Sequence, residues 1–453
     1  MEKRKFERPL ITKIKAGIPD KFGMKSQMKP LTEIDHVPIS GLIEKFGSPL
    51  YILSEKTIRK TFQQAFRSFS TRYPKIQFAW SYKTNYLNAV CKVFHQEGSW
   101  AEVVSGFEYQ KAIHNGVPGN RIIFNGPDKS EADLKEAIRN GSLIHIDHFD
   151  ELHDIMHLTQ SLDMKAKVAI RVNMDTGIYP QWDRFGFNYE SGEAWSAINK
   201  IMVFDKMELA GLHTHIGTYV MSPKPYSIAT KKLAELAVRT YRKYNHHIYY
   251  IDMGGGFASK NTLKGAYLPG SDTCPAFDEY AEGITNELNN SEIPYDAMPT
   301  LILETGRALI DDAGYLAGSV LANKRLADGR RSMIIDIGVN MLFTSFWYEH
   351  NILPAQYHET DLDDTTIYGP LCMNIDVIRN AIQFPLLEKG SLVVIPRIGA
   401  YNMTQWLQFI NYRPRVVMID VDGKPHIIRE NENLETMNAL DRVPDHLNDF
   451  ALS

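Results

Sequence analysis

Eight short apolar segments recur along the first two thirds of the chain, and a polar or helical stretch follows each of them. They read FAWSYK, WAEVVS, RIIFNG, LIHIDH, VAIRVN, LAGLHTHIG, YYIDMGGG and LILETG, and they lie between residues 78 and 306. The segments are rich in Val, Ile, Leu and Phe on both faces, which is typical of strands buried on both sides. The pattern therefore predicts eight buried β-strands.

Segments with helical periodicity lie between most of these predicted strands. In SEADLKEAIRNG, Ser130 can cap the start of a helix and Gly141 can end it, and IATKKLAELAVRTYRKY has the same periodicity. Strands that alternate with helices pair in parallel, and eight such units close a (β/α)8 barrel. The predicted fold class is α/β with a TIM barrel, and an open doubly wound sheet is the alternative that fits the same alternation.

The pattern changes after Arg307 to short β-rich pieces without long helices. These pieces are GYLAGSVLANKRL, RRSMIIDIG, SLVVIPRIGAY and PRVVMIDVDGKPHIIRE, with turn sequences at ADGR and VDGK. They predict a separate C-terminal β domain. We therefore expect three parts: an N-terminal arm and a strand that joins the β domain (1–52), the barrel (53–310) and the β-rich domain (311–453).

Composition narrows the class of partner. The 453 residues are 44% hydrophobic and 23% charged, with a formal net charge of −4, which argues against a nucleic-acid or membrane-surface partner and favours a small molecule. The basic N-terminus lacks the apolar core of a secretory signal, and no segment is apolar enough to span a membrane. Three widely spaced cysteines fit a reducing compartment, so we expect a cytoplasmic protein.

Polar residues at the predicted strand ends are the candidates for chemistry, because barrel enzymes gather their reactive groups at the carboxyl ends of the strands. The candidates are Lys83, Glu102, Asn125, Asp147, Arg171, Asn173, His215, Gly254 to Gly256, Glu304 and Arg307.

Two of these strand ends suit a phosphate. Three consecutive glycines in DMGGGF let backbone N–H groups converge on an anion, although they also fit a plain tight turn. In ETGR, Arg307 offers a guanidinium that matches phosphate oxygens in pairs. Glu304 in the same motif fits either a catalytic role or a structural ion pair.

Histidines and a lysine complete the set. His213 and His215 lie two residues apart in HTHIG, which on a strand places both on one face. They fit a metal site, although no third ligand is evident. A histidine that stacks on an aromatic ligand and a histidine buried in the core are the alternatives. Lys83 ends an apolar strand, where desolvation is expected to lower the amine pKa and make it nucleophilic. A Schiff-base lysine, a phosphate site and a carboxylate together indicate pyridoxal 5′-phosphate, with no metal.

Six motifs, in order, resemble those of the fold type III pyridoxal-phosphate-dependent decarboxylases, which include diaminopimelate, ornithine and arginine decarboxylases and share the alanine racemase-like barrel. The motifs are YKTN, HIGT, DMGGGF, ETGR, GPLCMNID and GAYNMT, and the resemblance runs from about Gly47 to Pro414. The closest likeness is to the diaminopimelate decarboxylases. It implies a carboxy-lyase.

The resemblance also implies roles for individual residues. Lys83 would form the Schiff base, His215 would stack on the cofactor ring, and Glu304 would pair with the pyridine nitrogen, where alanine racemases place an arginine. Cys372 would reach across a two-fold homodimer into the partner's site and assist protonation. The phosphate would be held by Thr218, Gly254, Gly255, Gly256, Arg307 and Tyr401.

The sequence departs from this subfamily where the far end of the substrate should bind. Met373 stands where the family has an acidic residue, and Thr344 stands where diaminopimelate decarboxylases carry an arginine, while Tyr348 matches a substrate-site tyrosine. Both changes remove charge, so we expect a substrate with a less charged or conjugated distal group. The competing hypotheses are a non-catalytic paralogue that binds a protein, an alanine-racemase-like enzyme, and a metal-dependent barrel enzyme that uses His213 and His215.

Overall fold

The computed structural model describes residues 28 to 447, so most of the predicted N-terminal arm lies outside the described residues. Its strands form a closed barrel, a large open sheet and a two-stranded hairpin. In chain order they are β1 Glu33–Ile34, β2 Val37–Pro38, β3 Leu50–Ser54, β4 Ile76–Ser81, β5 Trp100–Val103, β6 Ile122–Phe124, β7 Leu143–Ile146, β8 Ala166–Asn173, β9 Phe187–Asn188, β10 Met207–His213, β11 Tyr250–Asp252, β12 Thr300–Leu303, β13 Gly314–Arg325, β14 Arg331–Ile335, β15 Leu353–Pro354, β16 Leu362–Tyr368, β17 Val377–Pro385, β18 Leu392–Pro396, β19 Val416–Ile419 and β20 Pro425–Arg429.

The barrel confirms the eight predicted strands. Strands β4 to β8 and β10 to β12 pair in parallel with their neighbours, and the ring closes where β12 pairs with β4 and β10 pairs with β8. This closure rules out the open doubly wound sheet. The short β9, which the pattern did not predict, pairs in parallel with β8 beyond the ring.

Helices that follow the barrel strands cover the outside of the barrel, as the alternation predicted, whereas the helix Ile39–Phe46 packs against the β domain. In chain order the helices are α1 Ile39–Phe46, α2 Glu55–Ser70, α3 Asn88–Gln96, α4 Gly106–His114, α5 Glu131–Arg139, α6 Phe149–Leu162, α7 Glu193–Met202, α8 Lys224–Tyr244, α9 Gly270–Thr273, α10 Phe277–Asn289, α11 Arg307–Ile310 and α12 Leu434–Asn438. The cap predicted for α5 is confirmed: the Ser130 hydroxyl accepts from the Asp133 N–H, and the Asp133 carboxylate accepts from the Ser130 N–H.

The second sheet contains the strands predicted after Arg307, and β3 lies within it, parallel to β19 and antiparallel to β13. The turns at ADGR and VDGK connect antiparallel neighbours, β13 to β14 and β19 to β20. Strands β16 and β17 were not predicted. The exact domain boundaries stay a prediction, and the one at residue 52 lies inside β3.

Polar contacts between the β domain and the barrel fix the loops at the mouth of the barrel. The amide of Asn85 donates to the carbonyl of Gly399 at 3.1 Å, and the N–H of Tyr401 donates to the carbonyl of Thr84 at 2.9 Å. The buried Asp311 accepts from the N–H of Ala400 at 3.1 Å. The β domain therefore holds the segment around Tyr401 against the end of β4. In the part of the chain from 28 to 447, no helix is both long and apolar enough to cross a membrane.

Candidate active site

Lys83 lies at the barrel mouth, one turn beyond its predicted place. Strand β4 ends at Ser81, and Lys83 belongs to the 3-10 turn Tyr82–Thr84 that follows it. The contact between Thr84 and Tyr401 holds this turn. The Lys83 side chain is 38% exposed, so its ammonium is reachable from the mouth.

A carboxylate from the next strand pairs with this lysine. The Nζ of Lys83 lies 3.1 Å from Oε1 and 3.0 Å from Oε2 of Glu102, whose side chain is fully buried in β5. Burial by itself lowers the pKa of Lys83, but the negative charges of Glu102 and Glu304 outweigh it, and the pKa lies above that of an ordinary lysine. The prediction of a lowered pKa is therefore wrong.

Asn125 joins two buried carboxylates at the centre of the mouth. Its Nδ2 donates to Oε1 of Glu102 at 3.1 Å and to Oε1 of Glu304 at 2.5 Å. A third carboxyl group, Asp252, lies nearby; burial, and then the charge of Glu304, raise its pKa well above the ordinary range. The charge of Glu304 thus favours the protonated form of its neighbour Asp252.

The two histidines of HTHIG have different partners. Strand β10 ends at His213, and its Nε2 lies 3.4 Å from Oε2 of Glu304. His215 lies beyond the strand: its Nδ1 accepts from the N–H of Gly255 at 3.1 Å, and its ring centroid is 5.5 Å from that of Trp182. They do not form a paired ligand site.

Arg307 is a buried guanidinium whose hydrogen-bond partners, among residues 28 to 447, are hydroxyl groups. Its side chain donates to the hydroxyls of Tyr348 and Thr218, and its guanidinium lies 4.6 Å from the ring centroid of Tyr401. Among the described residues it forms no ion pair, although the residue is only 8% exposed. Since an unpaired buried charge is costly, this position is suited to a bound anion.

The glycines of DMGGGF lie against backbone on every side. A Cβ would lie 2.5 Å from the Thr214 carbonyl at Gly254, 2.5 Å from the Glu304 carbonyl at Gly255, and 2.2 Å from the Gly217 carbonyl at Gly256. The N–H of Gly254 donates to Asp252, and that of Gly255 to His215. Within residues 28 to 447 the N–H of Gly256 has no partner, so the predicted anion nest offers one free donor instead of three.

Of the residues predicted to bind substrate, Thr344 and Tyr348 share one turn, in which the N–H of Tyr348 donates to the carbonyl of Thr344 at 2.9 Å, whereas Met373 lies elsewhere in the β domain. Thr344 is buried, and its hydroxyl is 2.9 Å from Nε2 of His350 and donates to Asn402 at 2.9 Å. Tyr348 contacts Arg307. Cys372 is exposed, and Met373 lines a small cavity beside β14 and β16. Neither of these last two residues contacts Lys83 within the described chain.

Sequence reasoning missed His145 and Asp252 as members of the site. Both are buried, on β7 and β11, and both face Glu304 or its neighbour His213. They lie within or at the end of apolar strands, where a polar residue among buried positions is the available signal.

These residues fit pyridoxal 5′-phosphate. An unpaired buried guanidinium and a free N–H at Gly256 suit a phosphate, Glu304 offers a buried carboxylate to a ring nitrogen, and Lys83 is an accessible amine at the same mouth. All four requirements of the cofactor are met within one barrel mouth.

Comparison with known proteins agrees with this geometry. The family model described as "Pyridoxal-dependent decarboxylase, pyridoxal binding domain" matches residues 59–311. The diaminopimelate decarboxylase of Methanocaldococcus jannaschii is 29% identical over 432 residues, which cover 91% of this chain and 95% of that protein. The enzyme of the same name from Bacillus subtilis is 28% identical over 437 residues, covering 90% and 94%.

A solved structure gives the same relationship. The crystal structure of diaminopimelate decarboxylase from M. jannaschii in complex with L-lysine is 28% identical, with a TM-score of 0.84 over 93% of this chain and 98% of that chain. The family model alone covers more than half of the chain, and the overlap extends into the β domain. The protein therefore belongs to the pyridoxal-dependent decarboxylases, and its barrel contains their pyridoxal binding domain.

Proposed function

We propose that this protein removes the α-carboxylate of an amino acid as CO2, with pyridoxal 5′-phosphate as its cofactor. The observation that carries the proposal is the meeting of Lys83, Glu304 and the unpaired Arg307 at one barrel mouth. Family membership supports the same reaction class. Bound pyridoxal phosphate supplies an electron sink for the electron pair left when the carboxylate departs.

The chain's own residues would hold and orient the cofactor. Lys83 is the proposed point of attachment, and the ring of His215, fixed by the N–H of Gly255, is the proposed stacking surface. Glu304 is the proposed partner of the ring nitrogen. The proposed phosphate site consists of Thr218, Gly254, Gly255, Gly256, Arg307 and Tyr401.

Two residues would transfer protons at the barrel mouth, one as an acceptor and one as a donor. Glu102 binds the ammonium of Lys83 through both oxygens, so it is positioned to accept a proton from Nζ when the amine must react. Cys372 is the proposed donor of a proton from Sγ to the substrate carbon after CO2 has left. Its thiol is exposed on one chain and does not contact Lys83 there.

We therefore infer a homodimer in which each site takes Cys372 and Met373 from the other copy. Exposed aromatic side chains near the mouth, Phe346 and Trp347 at 37% each, are suited to an interface. Mixing inactive Lys83→Ala with inactive Cys372→Ala would test it. A shared site predicts recovery of about a quarter of the wild-type activity, because equal amounts exchange to give about half mixed dimers and one of the two sites in each mixed dimer is intact. No recovery despite subunit exchange would contradict the shared site.

We further propose that the substrate lacks the charged distal groups of diaminopimelate. Met373 and Thr344 carry no charge, and Thr344 is already satisfied by His350 and Asn402. Burial lowers the pKa of His350 to about 3, so it is neutral as well. A free distal ammonium and carboxylate would have no charged partner here.

Release of CO2 from a matched set of substrates would test this proposal. We expect poor turnover of meso-diaminopimelate, lysine, ornithine and arginine, and better turnover of diaminopimelate whose distal amine is acylated and whose distal carboxylate is amidated. Efficient decarboxylation of free diaminopimelate would show that the substrate proposal is wrong while leaving the reaction class intact. Absence of CO2 release from every substrate, with cofactor bound, would contradict the decarboxylase itself.

The other hypotheses receive less support. An alanine-racemase-like enzyme would need an arginine where Glu304 lies, and a non-catalytic binding protein has no use for the arrangement of Lys83, Glu102 and Arg307. The proposed compartment is the cytoplasm, since the three cysteines are free.

A further inference from the structure

His213 lies directly beneath the carboxylate that is proposed to meet the cofactor. Its Nε2 is 3.4 Å from Oε2 of Glu304, and its residue is 1% exposed. Neither ring nitrogen of His213 has a hydrogen-bond partner among residues 28 to 447 in this state. A modest shift of the Glu304 carboxylate would make a hydrogen bond from Nε2–H, and a buried N–H favours such a bond strongly.

A second buried histidine supports the first. The ring of His145 packs against that of His213 with centroids 4.7 Å apart, and its Nε2 lies 3.0 Å from the hydroxyl of Tyr250. Tyr250 is itself fixed, because its ring fills the space beside Gly211, where any Cβ would lie 2.2 Å from it. A continuous stack of Tyr250, His145 and His213 therefore rises through the barrel interior to Glu304.

The stack is polar but uncharged. Burial lowers the pKa of both histidines well below the ordinary value, and the neighbouring cations Arg171, Lys83 and Lys129 add to this. Burial also raises the pKa of the neighbouring Asp252 well above its ordinary value. The two histidines below the Glu304 carboxylate are thus neutral, so they can orient it without cancelling the negative charge that a ring nitrogen would pair with.

We propose that His213 is a positioning residue that holds the Glu304 carboxylate toward the cofactor's ring nitrogen, and that His145 and Tyr250 fix the ring of His213. This inference rests on the proposed role of Glu304. This role belongs to His213, the histidine of HTHIG that is not proposed to stack on the cofactor ring.

The same groups are also suited to bind a metal ion, so the experiment must distinguish a metal site from the positioning role. Ligand atoms of His145, His213 and Glu304 lie within 4.8 Å of one another. A metal there would take the carboxylate that the cofactor is proposed to use. The positioning role is favoured because Asn125 already donates to the same carboxylate, and because Arg171, Lys83 and Lys129 place positive charge around the cluster.

A cofactor analogue tests the proposal without relying on activity. Apoprotein would be titrated with pyridoxal 5′-phosphate and with its 1-deaza analogue, in which a C–H replaces the ring nitrogen, and both dissociation constants measured by absorbance. We expect His213→Leu to weaken binding of pyridoxal phosphate about ten-fold and to leave binding of the analogue unchanged. His213→Gln, which retains an N–H donor, should restore most of the loss.

His145→Phe keeps the ring volume but loses the contact with Tyr250, and we expect a smaller loss of the same selective kind; this variant carries the test if His213→Leu fails to fold. Equal losses for both cofactors would mean a structural role only and would overturn the proposal, as would no loss at all. One equivalent of transition metal in purified wild-type protein, absent from His213→Leu, would also overturn it.

Glu304→Gln separates this inference from the proposed function. If that variant loses the preference for pyridoxal phosphate over the analogue but the His213 variants keep it, the stack does not position Glu304 and only the inference fails. If Glu304→Gln retains the full preference, the proposed pairing of Glu304 with the ring nitrogen fails, and the inference fails with it.

Discussion

The ammonium of Lys83 lies 3.0 and 3.1 Å from the two carboxylate oxygens of Glu102, so the two side chains form a charged, bidentate ion pair. Lys83 lies in the turn that follows β4, and Glu102 lies in the neighbouring strand β5, so the parallel pairing of these two strands brings the two residues together. A protonated lysine is not a nucleophile. The resting site therefore holds its amine in a stable form that becomes reactive when the proton leaves.

Glu102→Gln should lower the pKa of Lys83, because it removes one of the negative charges that raise it. A larger fraction of the amine is then neutral at a given pH, so the midpoint of the pH–rate profile for combination of apoprotein with pyridoxal phosphate should move to lower pH, while the plateau rate should fall because the proposed proton acceptor is gone. The rise of the bound-cofactor absorbance between pH 6 and 11 measures it. Glu131→Gln, which removes an exposed carboxylate paired with Lys135, should leave the profile unchanged.

The same pair has a predictable effect on stability. Because the pKa of Lys83 is raised in the folded protein, the stabilisation is fully present below the unfolded value of about 10.4 and is lost as the pH rises through the folded value. Glu102→Gln should therefore unfold more easily than wild type at pH 7, and the difference should shrink above about pH 10.4. If the difference in unfolding free energy between wild type and Glu102→Gln stays constant from pH 7 to above about pH 10.4, the ion pair is not the source of that difference.

Arg307→Ala should weaken binding of pyridoxal phosphate and leave binding of pyridoxal, which has no phosphate, almost unchanged. The guanidinium is buried with hydroxyl partners only, so a phosphate would be its charged partner. Loss of one member of a buried charged pair costs about 3 kcal/mol, or about 100-fold in affinity. Titration of apoprotein with both ligands measures it, and Arg242→Ala, which breaks the exposed pair with Glu292, is the control.

Gly256→Ala should destabilise the protein by more than the conformational cost of placing alanine at a positive φ, because its Cβ would also clash with neighbouring backbone. Gly256 has φ +91°, and a Cβ there would lie 2.2 Å from the Gly217 carbonyl. Gly98 has φ +90° with nothing within 4 Å, so Gly98→Ala measures the conformational cost alone, about 1 kcal/mol. We expect Gly256→Ala to lose about 2 kcal/mol more in denaturant unfolding and to bind the cofactor poorly. Equal destabilisation of the two variants would rule out the steric argument.

The barrel was predictable because its strands are buried on both faces and read as continuous apolar runs. Strands β16 and β17 were not, since several of their side chains are exposed and their sequences, LDDTTIY and VIRNAIQFP, mix polar and apolar residues without a clear alternation. The two-residue β9 is too short for any pattern to indicate it.

The site was predictable where residues lie at strand ends, as with Glu304 and Arg307. The raised pKa of Lys83 was not, because it depends on the distance to Glu102, and a single sequence does not give the orientation of one strand end relative to the next. His145 lies inside its strand, so its contact with His213 follows from which residues face the barrel interior. The raised pKa of Lys83 and the contact between His145 and His213 depend on how the strands pack together, which no single segment of the sequence gives.

Glu108→Gln should stabilise the protein at high pH. Burial, followed by the charge of Glu102, raises the pKa of Glu108 to about 7. Below the pKa of glutamate in the unfolded chain, about 4.3, Glu108 is protonated in both states and its titration does not change the free energy of unfolding. As the pH rises from there to 7, ionisation favours the unfolded chain and the free energy of unfolding falls. The variant should thus gain up to about 3 kcal/mol over wild type between pH 4.5 and 8. Urea unfolding at both ends of that range measures it, with the exposed Glu44→Gln as control.

Met373→Glu should change which substrate the protein accepts. Met373 is partly buried and, if the site is shared between two copies, would face the far end of the substrate in the partner's mouth. A carboxylate there would give a distal ammonium the charged partner it now lacks, so kcat/KM for lysine and meso-diaminopimelate should rise about ten-fold or more, chiefly through KM. Met373→Gln adds polarity without charge and should gain little. If the two variants behave alike, charge at this position does not select the substrate, and the proposed difference in specificity would have to depend on Thr344 or another residue of the mouth.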